Sequence, residues 1–420
     1  MSGRVFAAVD IGTTSISLLA AEATEKWVRV LGSCRTASRG LRKGVVVNIE
    51  EAVQSIRNAL HEAESATGRK ISSAVVGITG RHIEGFLSTG LIGLHGREVT
   101  ASDRMLAIES AKTVYMPLDR EILHVIPTEF MLDGQRGITD PVGMSGVRLE
   151  STVYIITAYS PAVQNLKRAC EEAGLAVLDM VFGPAAAAEA VLTHDEIDQG
   201  SLLIDIGGGT TDMALFRDGA MVHASVLGIG GLHITNDLAV GLQVSVAEAE
   251  RIKKTAGLAS TRALAAAESI EITRHDGQLQ KVSRQLIASI IQPRCEELFE
   301  KICDDLGKSG AGNSACSAIV TGGSSLLAGI PDLAASVFGM PVRIGLPLGL
   351  AGMKNAMRTP SYAAVVGLVS YAAQHDEDEV RSHDRTGNLL AGFAAKIKNA
   401  FGYKDFLEIV QKKKKGVSYV

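Results

Sequence analysis

Asp10-Ile11-Gly12-Thr13-Thr14 and Asp205-Ile206-Gly207-Gly208-Gly209-Thr210-Thr211 are the same motif, placed once in each half of the chain, and they decide the fold. Each motif follows an apolar run typical of a buried strand, at residues 5–9 and 202–204. A second apolar run comes after each motif, so each glycine-rich turn is predicted to close a β-hairpin. A P-loop or a dinucleotide-binding fingerprint would lead from a strand into a helix instead, and neither is present at these positions.

The two hairpins carry groups suited to binding a nucleotide polyphosphate. Glycine lets backbone N–H groups approach a phosphate closely, and threonine hydroxyls add further donors. The strand-end carboxylates of Asp10 and Asp205 are suited to a hydrated Mg²⁺, because this ion keeps several waters and takes only one or two carboxylates. The predicted phosphate donors are Gly12, Thr13, Thr14, Gly207, Gly208, Gly209, Thr210 and Thr211.

Ordinary hairpin loops are the alternative interpretation of these turns, and either motif alone is compatible with it. The duplication of Asp-Ile-Gly at a long separation favours one nucleotide site formed by two lobes. A third glycine pair supports this interpretation, since residues 318–324 have the pattern of a strand end followed by a turn. Gly322, Gly323 and Ser324 of that turn are predicted to lie flat against a base or ribose.

Composition limits the class of protein. With 420 residues the chain has room for two to four domains, and its net charge of −4 does not suggest non-specific binding of nucleic acid. Five cysteines without a Cys-x-x-Cys motif favour a reduced cytoplasm, and no two of the ten histidines have metal-ligand spacing. The N-terminus does not resemble a signal peptide, and the most apolar window, residues 362–373, is too short to span a membrane.

The alternation of strands and helices predicts the order of domains. Residues 85–160 break the α/β rhythm with a strand, a helix and two strands, and about 75 residues of this kind favour a folded subdomain over an elaborated loop. The predicted order is the first segment of the first-lobe core (1–84), the inserted strand–helix–strand–strand subdomain (85–160), the second segment of the first-lobe core (161–199), the first segment of the second-lobe core (200–239), a helical insert of the second lobe (240–305), the second segment of the second-lobe core (306–355), a return helix of the first lobe (356–374), a flexible linker (375–387) and an amphipathic membrane-targeting tail (388–420).

The C-terminal segment has the pattern of an interfacial membrane anchor. Residues 375–384 are acidic and polar without apolar periodicity, which is typical of a flexible tether. At helical spacing the next apolar residues share one face, and Lys396 and Lys398 border it, where their stems can extend along the membrane surface. A helix packed on the protein core is the alternative. The apolar face consists of Leu389, Leu390, Phe393, Ile397, Ala400 and Phe401.

A helix predicted at residues 246–255 carries two charged candidates. Glu250 and Lys253 are spaced i,i+3 and therefore lie on one face of this helix. A surface ion pair and a role in a binding site are both open from the sequence.

Several segments together resemble a known family. Two Asp-Ile-Gly hairpins with a Gly-Gly turn resemble the superfamily of actin, hexokinase and heat-shock chaperones, and within it the chain is similar to the FtsA family of bacterial cell-division proteins. The resemblance covers nearly the whole chain up to about residue 373. Its segments are Leu-Arg-Lys-Gly-Val-Val (41–46), Gly-Ile-Thr-Gly-Arg-His-Ile (77–83), Asp-Gly-Gln (133–135), residues 140–150, the second hairpin motif through Asp212, Ile-Gln-Pro-Arg (291–294), Thr-Gly-Gly (321–323) and Val-Arg-Ile-Gly (342–345).

The resemblance implies an α/β, two-lobed actin-like ATPase fold with an inserted α+β subdomain and a C-terminal amphipathic helix. It implies a protein that binds ATP with Mg²⁺, polymerises into actin-like filaments, and holds the FtsZ ring at the cytoplasmic face of the cell membrane at midcell, together with other divisome proteins. Glu250 and Lys253 match positions that line the nucleoside. Arg294 and Lys301 match contacts to the C-terminal tail peptide of FtsZ, bound by the helical insert. Residues 403–420 extend beyond the anchor helix at which family members usually end.

Two other functions are weighed against this one. A small-molecule kinase of the same superfamily needs a base for the acceptor hydroxyl, and no carboxylate stands out beyond Asp10, Asp205 and Asp212. The sequence therefore predicts at most a slow ATPase. A pilus-assembly protein related to this family would not be expected to carry a terminal anchor. A chaperone would need a substrate-binding domain after the second lobe.

Overall fold

The computed structural model describes residues 4–24, 27–113, 116–261, 268–310 and 315–382. Its strands are β1 (Arg4–Ile11), β2 (Ser15–Thr24), β3 (Trp27–Ala37), β4 (Leu41–Arg42), β5 (Val45–Val46), β6 (Ser73–Ile78), β7 (Glu84–Gly93), β8 (Arg120–Leu132), β9 (Gln135–Ile138), β10 (Arg148–Tyr159), β11 (Ala176–Phe182), β12 (Ser201–Ile206), β13 (Thr211–Arg217), β14 (Ala220–Leu227), β15 (Ser269–Thr273), β16 (Leu279–Ser283), β17 (Ser317–Thr321) and β18 (Val342–Ile344). Its helices are α1 (Ile49–Thr67), α2 (Ala101–Lys112), α3 (Ser160–Glu172), α4 (Gly183–Val191), α5 (His194–Gln199), α6 (Gly231–Leu242), α7 (Val246–Ala256), α8 (Arg284–Lys308), α9 (Ile330–Phe338) and α10 (Ala363–Ser382).

One sheet topology is built twice. The first-lobe sheet has the order β11-β6-β1-β2-β3, and the second-lobe sheet has the order β14-β13-β12-β17-β18. In each sheet an antiparallel hairpin, β1–β2 or β12–β13, is flanked by a parallel strand on one side and an antiparallel strand on the other. The hairpins predicted from the duplicated motif are therefore confirmed.

Helices cover the first-lobe sheet. α1 packs on β2 and β3, while α10 packs on β1 and on α4. The side chain of Asn48 caps the N-terminus of α1 by accepting from the N–H of Glu51, and Gly68 ends the helix at a φ of 65°. Gly367 lets α10 and α4 touch, because a Cβ there would lie 1.7 Å from the carbonyl oxygen of Ala186.

The inserted subdomain is a four-stranded sheet in the order β7-β10-β8-β9, with α2 packed on β7 and β10. It has a core of its own, which includes Ile108, Phe130 and Leu149. The predicted strand–helix–strand–strand order is present. The short strand β9 was not predicted, because it follows a tight turn at Asp133 and Gly134, both at positive φ, rather than an apolar run.

The insert also touches the second lobe. The Tyr154 hydroxyl accepts a hydrogen bond from the N–H of Ala224 at 2.8 Å and donates to the carbonyl of Ala224 at 3.3 Å. Gly85 leaves room for this ring, since a Cβ there would lie 2.2 Å from the Tyr154 hydroxyl. The insert is therefore joined to the first lobe by the chain and to β14 by hydrogen bonds.

Two details of the predicted organisation are corrected. The helical insert at 240–305 also contains a hairpin, β15–β16, because short alternating strands at 269–283 gave no long apolar run to detect. The linker predicted to begin at residue 375 is helical as far as Ser382. Residues 375–382 contain neither glycine nor proline, so a helix that is already formed can propagate through them despite their polarity.

Residues 383–420, with the rest of the predicted linker and the whole predicted tail, lie outside the described residues. Among the residues that are described, no helix is long and apolar enough to cross a membrane.

Candidate functional site

A cleft of about 1260 Å³ lies between the two lobes and brings the predicted site residues together. The first lobe contributes the end of β1 and the turn into β2. The second lobe contributes the end of β12, helix α7 and the turn after β17. The predicted residues that line the cleft are Asp10, Gly12, Thr13, Thr14, Asp205, Gly207, Gly208, Glu250, Lys253, Gly322, Gly323 and Ser324.

Each of the two glycine-rich turns contains the same internal hydrogen bond. The N–H of Gly12 donates to the carbonyl of Ser15 at 3.0 Å, and the N–H of Gly207 donates to the carbonyl of Thr210 at 2.9 Å. These two predicted phosphate donors are thus already used inside their own turns. The amides that follow, at the tips of the turns, are better placed for a ligand.

The hairpin tips meet across the cleft. A Cβ at Gly208 would lie 2.3 Å from the Thr14 hydroxyl oxygen, and a Cβ at Gly209 would lie 2.6 Å from the Thr13 hydroxyl oxygen. Glycine is required at both positions by this close approach. The opposing tips also place the side chains of Thr13 and Thr14 against the second lobe.

Thr210, Thr211 and Gly209 do not line the cleft. The Thr211 hydroxyl is buried and donates to the carbonyl of Ile229 at 2.9 Å, and the Thr210 hydroxyl donates to Asp212 at 3.5 Å. Their side chains therefore stabilise the second hairpin. Because threonines occur in both motifs, the sequence alone did not show that Thr210 and Thr211 stabilise the hairpin and do not line the cleft.

Three carboxylates lie together at the base of the cleft: Asp10 and Asp205 are half-buried and line it, and Asp212 is buried next to them. Burial raises the pKa of Asp10 to about 6, although the guanidinium of Arg35 lowers it. Burial, and then the charges of Asp212 and Asp10, raise the pKa of Asp205 well above its ordinary value. Burial likewise raises the pKa of Asp212 to about 7, against a 2.5 Å hydrogen bond from the Thr79 hydroxyl.

This group of carboxylates fits a hydrated Mg²⁺, because the charge of the ion would favour the ionised forms that burial and mutual repulsion now disfavour. The predicted contacts from Asp10 and Asp205 run through water. Among the described residues, no group of three or more His, Cys, Asp or Glu side chains is arranged to hold a metal ion.

Glu250 and Lys253 form an ion pair in the wall of the cleft. Lys253 Nζ lies 2.6 Å from Glu250 Oε2 and also donates to the Gly231 carbonyl at 3.0 Å. The Thr235 hydroxyl donates to the same Glu250 oxygen at 2.5 Å. Burial works to raise the pKa of Glu250, but the hydrogen bonds from Lys253 and Thr235 outweigh it and lower the pKa. The pair is thus both an ion pair and a component of the candidate site.

The third glycine turn packs on the second hairpin. Gly322 has a φ of 85°, and a Cβ there would lie 2.1 Å from Asp205 Oδ1. The Ser324 hydroxyl donates to the carbonyl of Gly207 at 2.9 Å, within a short 3₁₀ turn at Gly323–Leu326. The turn therefore borders the second glycine-rich hairpin, and its predicted contact with a base or ribose stays a prediction.

Sequence reasoning missed two polar residues at the site, Arg35 in the lining of the cleft and Thr79 beside Asp212. Arg35, on β3, donates to the Ser15 hydroxyl through Nε and Nη2, at 3.3 and 3.2 Å. Thr79 follows β6 and reaches Asp212 in the opposite lobe. Arg35 lies in no recognised motif and reaches the site through the pairing of β3 with β2. Thr79 lies in the segment 77–83 that resembles the family, but it meets Asp212 only because the two lobes approach each other.

Arg294 lies outside the cleft in an ion-pair network. Its guanidinium binds Asp237 of α6 through two hydrogen bonds, of 2.6 and 3.0 Å, and also contacts Glu297. Lys301 lies 3.5 Å from Glu297. The contacts predicted for Arg294 and Lys301 with a peptide stay predictions. The predicted membrane residues Leu389, Leu390, Phe393, Lys396, Ile397, Lys398 and Phe401 fall outside the described residues.

Solved structures show which fold this is. The PilM-PilN type IV pilus biogenesis complex matches with a TM-score of 0.62 and 18% identity, covering 88% of this chain and 98% of that chain. MreB5 of Spiroplasma citri bound to ADP matches with a TM-score of 0.53 and 14% identity, covering 90% and 98%. The same protein bound to AMPPNP matches with a TM-score of 0.53 and 15% identity, covering 90% and 99%. At these identities the likeness shows the fold alone, which is the actin-like ATPase fold.

Sequence comparison identifies the family. The family model for Cell division protein FtsA matches residues 202–367, and the model for the SHS2 domain inserted in FTSA matches residues 80–157. Cell division protein FtsA of Pseudomonas aeruginosa is 40% identical, over 90% of this chain and 91% of that protein. The FtsA proteins of Neisseria meningitidis (38%, over 95% and 99%) and Escherichia coli (32%, over 96% and 98%) are similar at full length. With both domain models matched and identities of 32–40% along most of its length, the chain belongs to the FtsA family of cell-division proteins.

Proposed function

We propose that this chain binds ATP with Mg²⁺ in the interlobe cleft, polymerises into actin-like filaments, and tethers the FtsZ ring to the cytoplasmic face of the membrane at midcell, where it recruits other divisome proteins. The observation that carries the nucleotide site is the meeting of the two hairpin tips close to the carboxylates of Asp10, Asp205 and Asp212. A protein of the same fold, MreB5 of Spiroplasma citri, has been solved with ADP and with AMPPNP, which supports nucleotide binding by this chain.

Different groups of the chain would contact the phosphates, the Mg²⁺ and the nucleoside. The tip amides of Thr13, Thr14 and Gly208 would donate to phosphate oxygens, and Asp10 and Asp205 would hold the waters of Mg²⁺. Bound Mg²⁺ would neutralise some of the phosphate charge. The Glu250–Lys253 pair would line the nucleoside. We expect slow hydrolysis at most, because the carboxylates of Asp10 and Asp205 are better used by the metal than as a base.

The helical insert of the second lobe is the proposed docking site for the FtsZ tail peptide. Its support is the family match around Arg294 and the exposure of this network at the surface. The side chains of Arg294 and Asp237 are each more than a quarter exposed, so a carboxylate of a peptide can reach the guanidinium. An arginine can hold a carboxylate through two parallel hydrogen bonds.

The membrane attachment is proposed from the sequence of residues 388–402. Its support is the apolar face of that segment with lysines at its borders. An anchor of this kind lies in the interface and needs no spanning helix.

The nucleotide site is tested by Gly208→Val. The added side chain would collide with Thr14, so the hairpin tips would be forced apart and their amides would no longer converge on one phosphate. We expect ATP binding in isothermal titration calorimetry to weaken by at least about tenfold, as for the loss of one hydrogen bond to a charged group. The matched control is Gly93→Val at the end of β7, where a Cβ meets nothing within 4 Å. Equal ATP affinity in G208V and the parent protein would refute the proposed site.

A further inference from the structure

Two arginines of the cleft lining, Arg35 and Arg39, form no ion pair within the described ranges, and of these only Arg35 lies in the same strand row as Asp10. The motif turns themselves carry no basic residue, so the positive charge for a polyphosphate must come from elsewhere in the lining. Lys253 and Lys254 pair with Glu250, at 2.6 and 3.2 Å, and Arg284 pairs with Glu268. Their charges are thus partly compensated inside the protein.

Arg35 differs from these residues in its partners. Within the described ranges it forms no ion pair, and its hydrogen bonds go to the uncharged hydroxyl of Ser15. A guanidinium has five N–H donors, and a hydroxyl oxygen satisfies only some of them. Its charge and its remaining donors are therefore available to an anion in the cleft.

Strand pairing explains the position of Arg35. In the first-lobe sheet Asp10 lies opposite Ser17, and Ser17 lies opposite Arg35, so the three residues form one row across β1, β2 and β3. Directly opposite residues share a face of the sheet, so Arg35 faces the same way as Asp10. The row ends in the cleft, which both Asp10 and Arg35 line.

The guanidinium also reaches the other lobe. A Cβ at Gly323 would lie 3.1 Å from Arg35 Nη2, so the arginine occupies the gap between the first hairpin and the third glycine turn. That turn packs on Gly207 through Ser324 and borders Asp205 through Gly322. Arg35 thus points at the place where the phosphate-binding turns of both lobes converge.

We propose that Arg35 is a phosphate-contacting residue of this cleft, which reaches the nucleotide from β3 and supplies the positive charge that the hairpin motifs lack. This inference rests on the proposed nucleotide site. A planar guanidinium can bind two phosphate oxygens at once, and such charge-assisted hydrogen bonds are stronger than neutral ones. Contact with the nucleoside would not use the charge of the side chain, and Lys253 with Glu250 already line the other wall.

The experiment compares ATP, ADP and adenosine in calorimetry with the full-length protein. Arg35→Gln should weaken ATP and ADP by about 10- to 100-fold, the range expected for one charge-assisted hydrogen bond, and leave adenosine unchanged. Arg35→Lys should recover some of the loss, because it restores the charge without the planar fork. Arg29→Gln is the matched control, since it removes the same charge from a position on the same strand outside the cleft lining.

The outcomes separate this inference from the proposed site. If the parent protein binds no ATP, the nucleotide site itself is wrong. If the parent binds ATP and R35Q binds it equally well, the site stands and the role of Arg35 is refuted. An equal loss of adenosine would also refute it, because the side chain would then act on the nucleoside or on the fold. An equal loss in R29Q would assign the effect to net charge and refute a direct contact.

Discussion

At the scale of single residues, the role of each residue depends on the groups of the other elements that it contacts. Gly208 and Gly209 are glycines because a threonine of the other lobe stands at the position of their missing Cβ. Arg294 illustrates the opposite case, since its charge is matched inside the chain by Asp237. A carboxylate from a peptide must join this pair or displace Asp237.

The first residue-scale prediction concerns the FtsZ peptide. Arg294→Glu should weaken binding of a labelled C-terminal FtsZ peptide in fluorescence anisotropy by about tenfold or more, because it replaces an attraction with a repulsion at an anchor position. ATP affinity should not change, since Arg294 lies outside the cleft lining.

The control for that prediction is Asp237→Asn. It frees Arg294 from its internal carboxylate and should leave peptide binding as strong or stronger. Peptide affinity that is unaffected by R294E would show that the peptide binds elsewhere. A loss in both variants would mean that the network acts by holding α6 to α8.

At the scale of elements, the sequence placed five helices closely but not the two longest, since α8 was predicted only as part of the helical insert and α10 was predicted to end at residue 374. Helices predicted at residues 50–65, 101–114, 161–173, 184–192 and 246–255 correspond to α1, α2, α3, α4 and α7, and each end lies within two residues of its predicted bound. The hairpin β15–β16 and the strand β9 were missed, since short strands leave too few residues to establish a period. The predicted linker begins too early in the chain. The polar residues from 375 onwards predict the end of the helix, although no glycine or proline interrupts it before residue 382.

The contact between α4 and α10 gives an element-scale prediction. Gly367→Ala should lower the thermal unfolding midpoint, because the new Cβ would overlap the carbonyl of Ala186, and overpacking of this kind costs about 1–3 kcal/mol. Differential scanning fluorimetry of this variant and the parent protein measures the change in the midpoint.

Gly307→Ala is the matched control for this change. Gly307 is also helical, in α8, but a Cβ there meets nothing within 4 Å. Alanine should therefore stabilise the protein slightly, as expected from helix propensity. If G367A unfolded at the same temperature as G307A, the two helices would not be in the close contact described above.

At the scale of the whole molecule, the two lobes and the insert are joined by a shared apolar core as well as by the chain. This core packs first-lobe residues against Leu203, Phe216 and Ile319 of the second-lobe sheet and against residues of the insert. Thr79 bonds Asp212 across the cleft, and Tyr154 bonds Ala224 between the insert and the second lobe. The proposed filament and membrane functions also belong to this scale, since they depend on many copies acting together.

The whole-molecule prediction is that membrane binding depends on polymerisation. The apolar residues of the tail would each contribute about 1.5–3 kcal/mol if fully buried, but an interfacial helix buries them only incompletely and must be ordered. One tail should therefore attach weakly, whereas a filament presents many tails at high effective concentration. In sedimentation with anionic vesicles, assembled protein should pellet and monomeric protein should stay largely in solution.

The variant for this prediction is the double change Phe393→Asp with Ile397→Asp. It should abolish pelleting and leave ATP affinity as in the parent protein. High salt should reduce the parent's binding, because the lysines contribute through attraction to the anionic surface. A variant locked as a monomer that pellets as strongly as the assembled parent would contradict the avidity mechanism.

The sequence by itself determined the duplicated hairpins, the insert and the family, because each depends on residues that are close together in the chain. It also identified the glycines, threonines and strand-end aspartates of the cleft lining, since these lie inside recognisable motifs. The tertiary structure decided how these groups are used. Strand pairing brought Arg35 to Ser15, and the approach of the two lobes brought Thr79 to Asp212. The approach of the two lobes turned Gly208 into a steric requirement, and helix packing gave Arg294 a partner 57 residues away in the chain. No local pattern contains these distances, since they arise only when separate elements pack together.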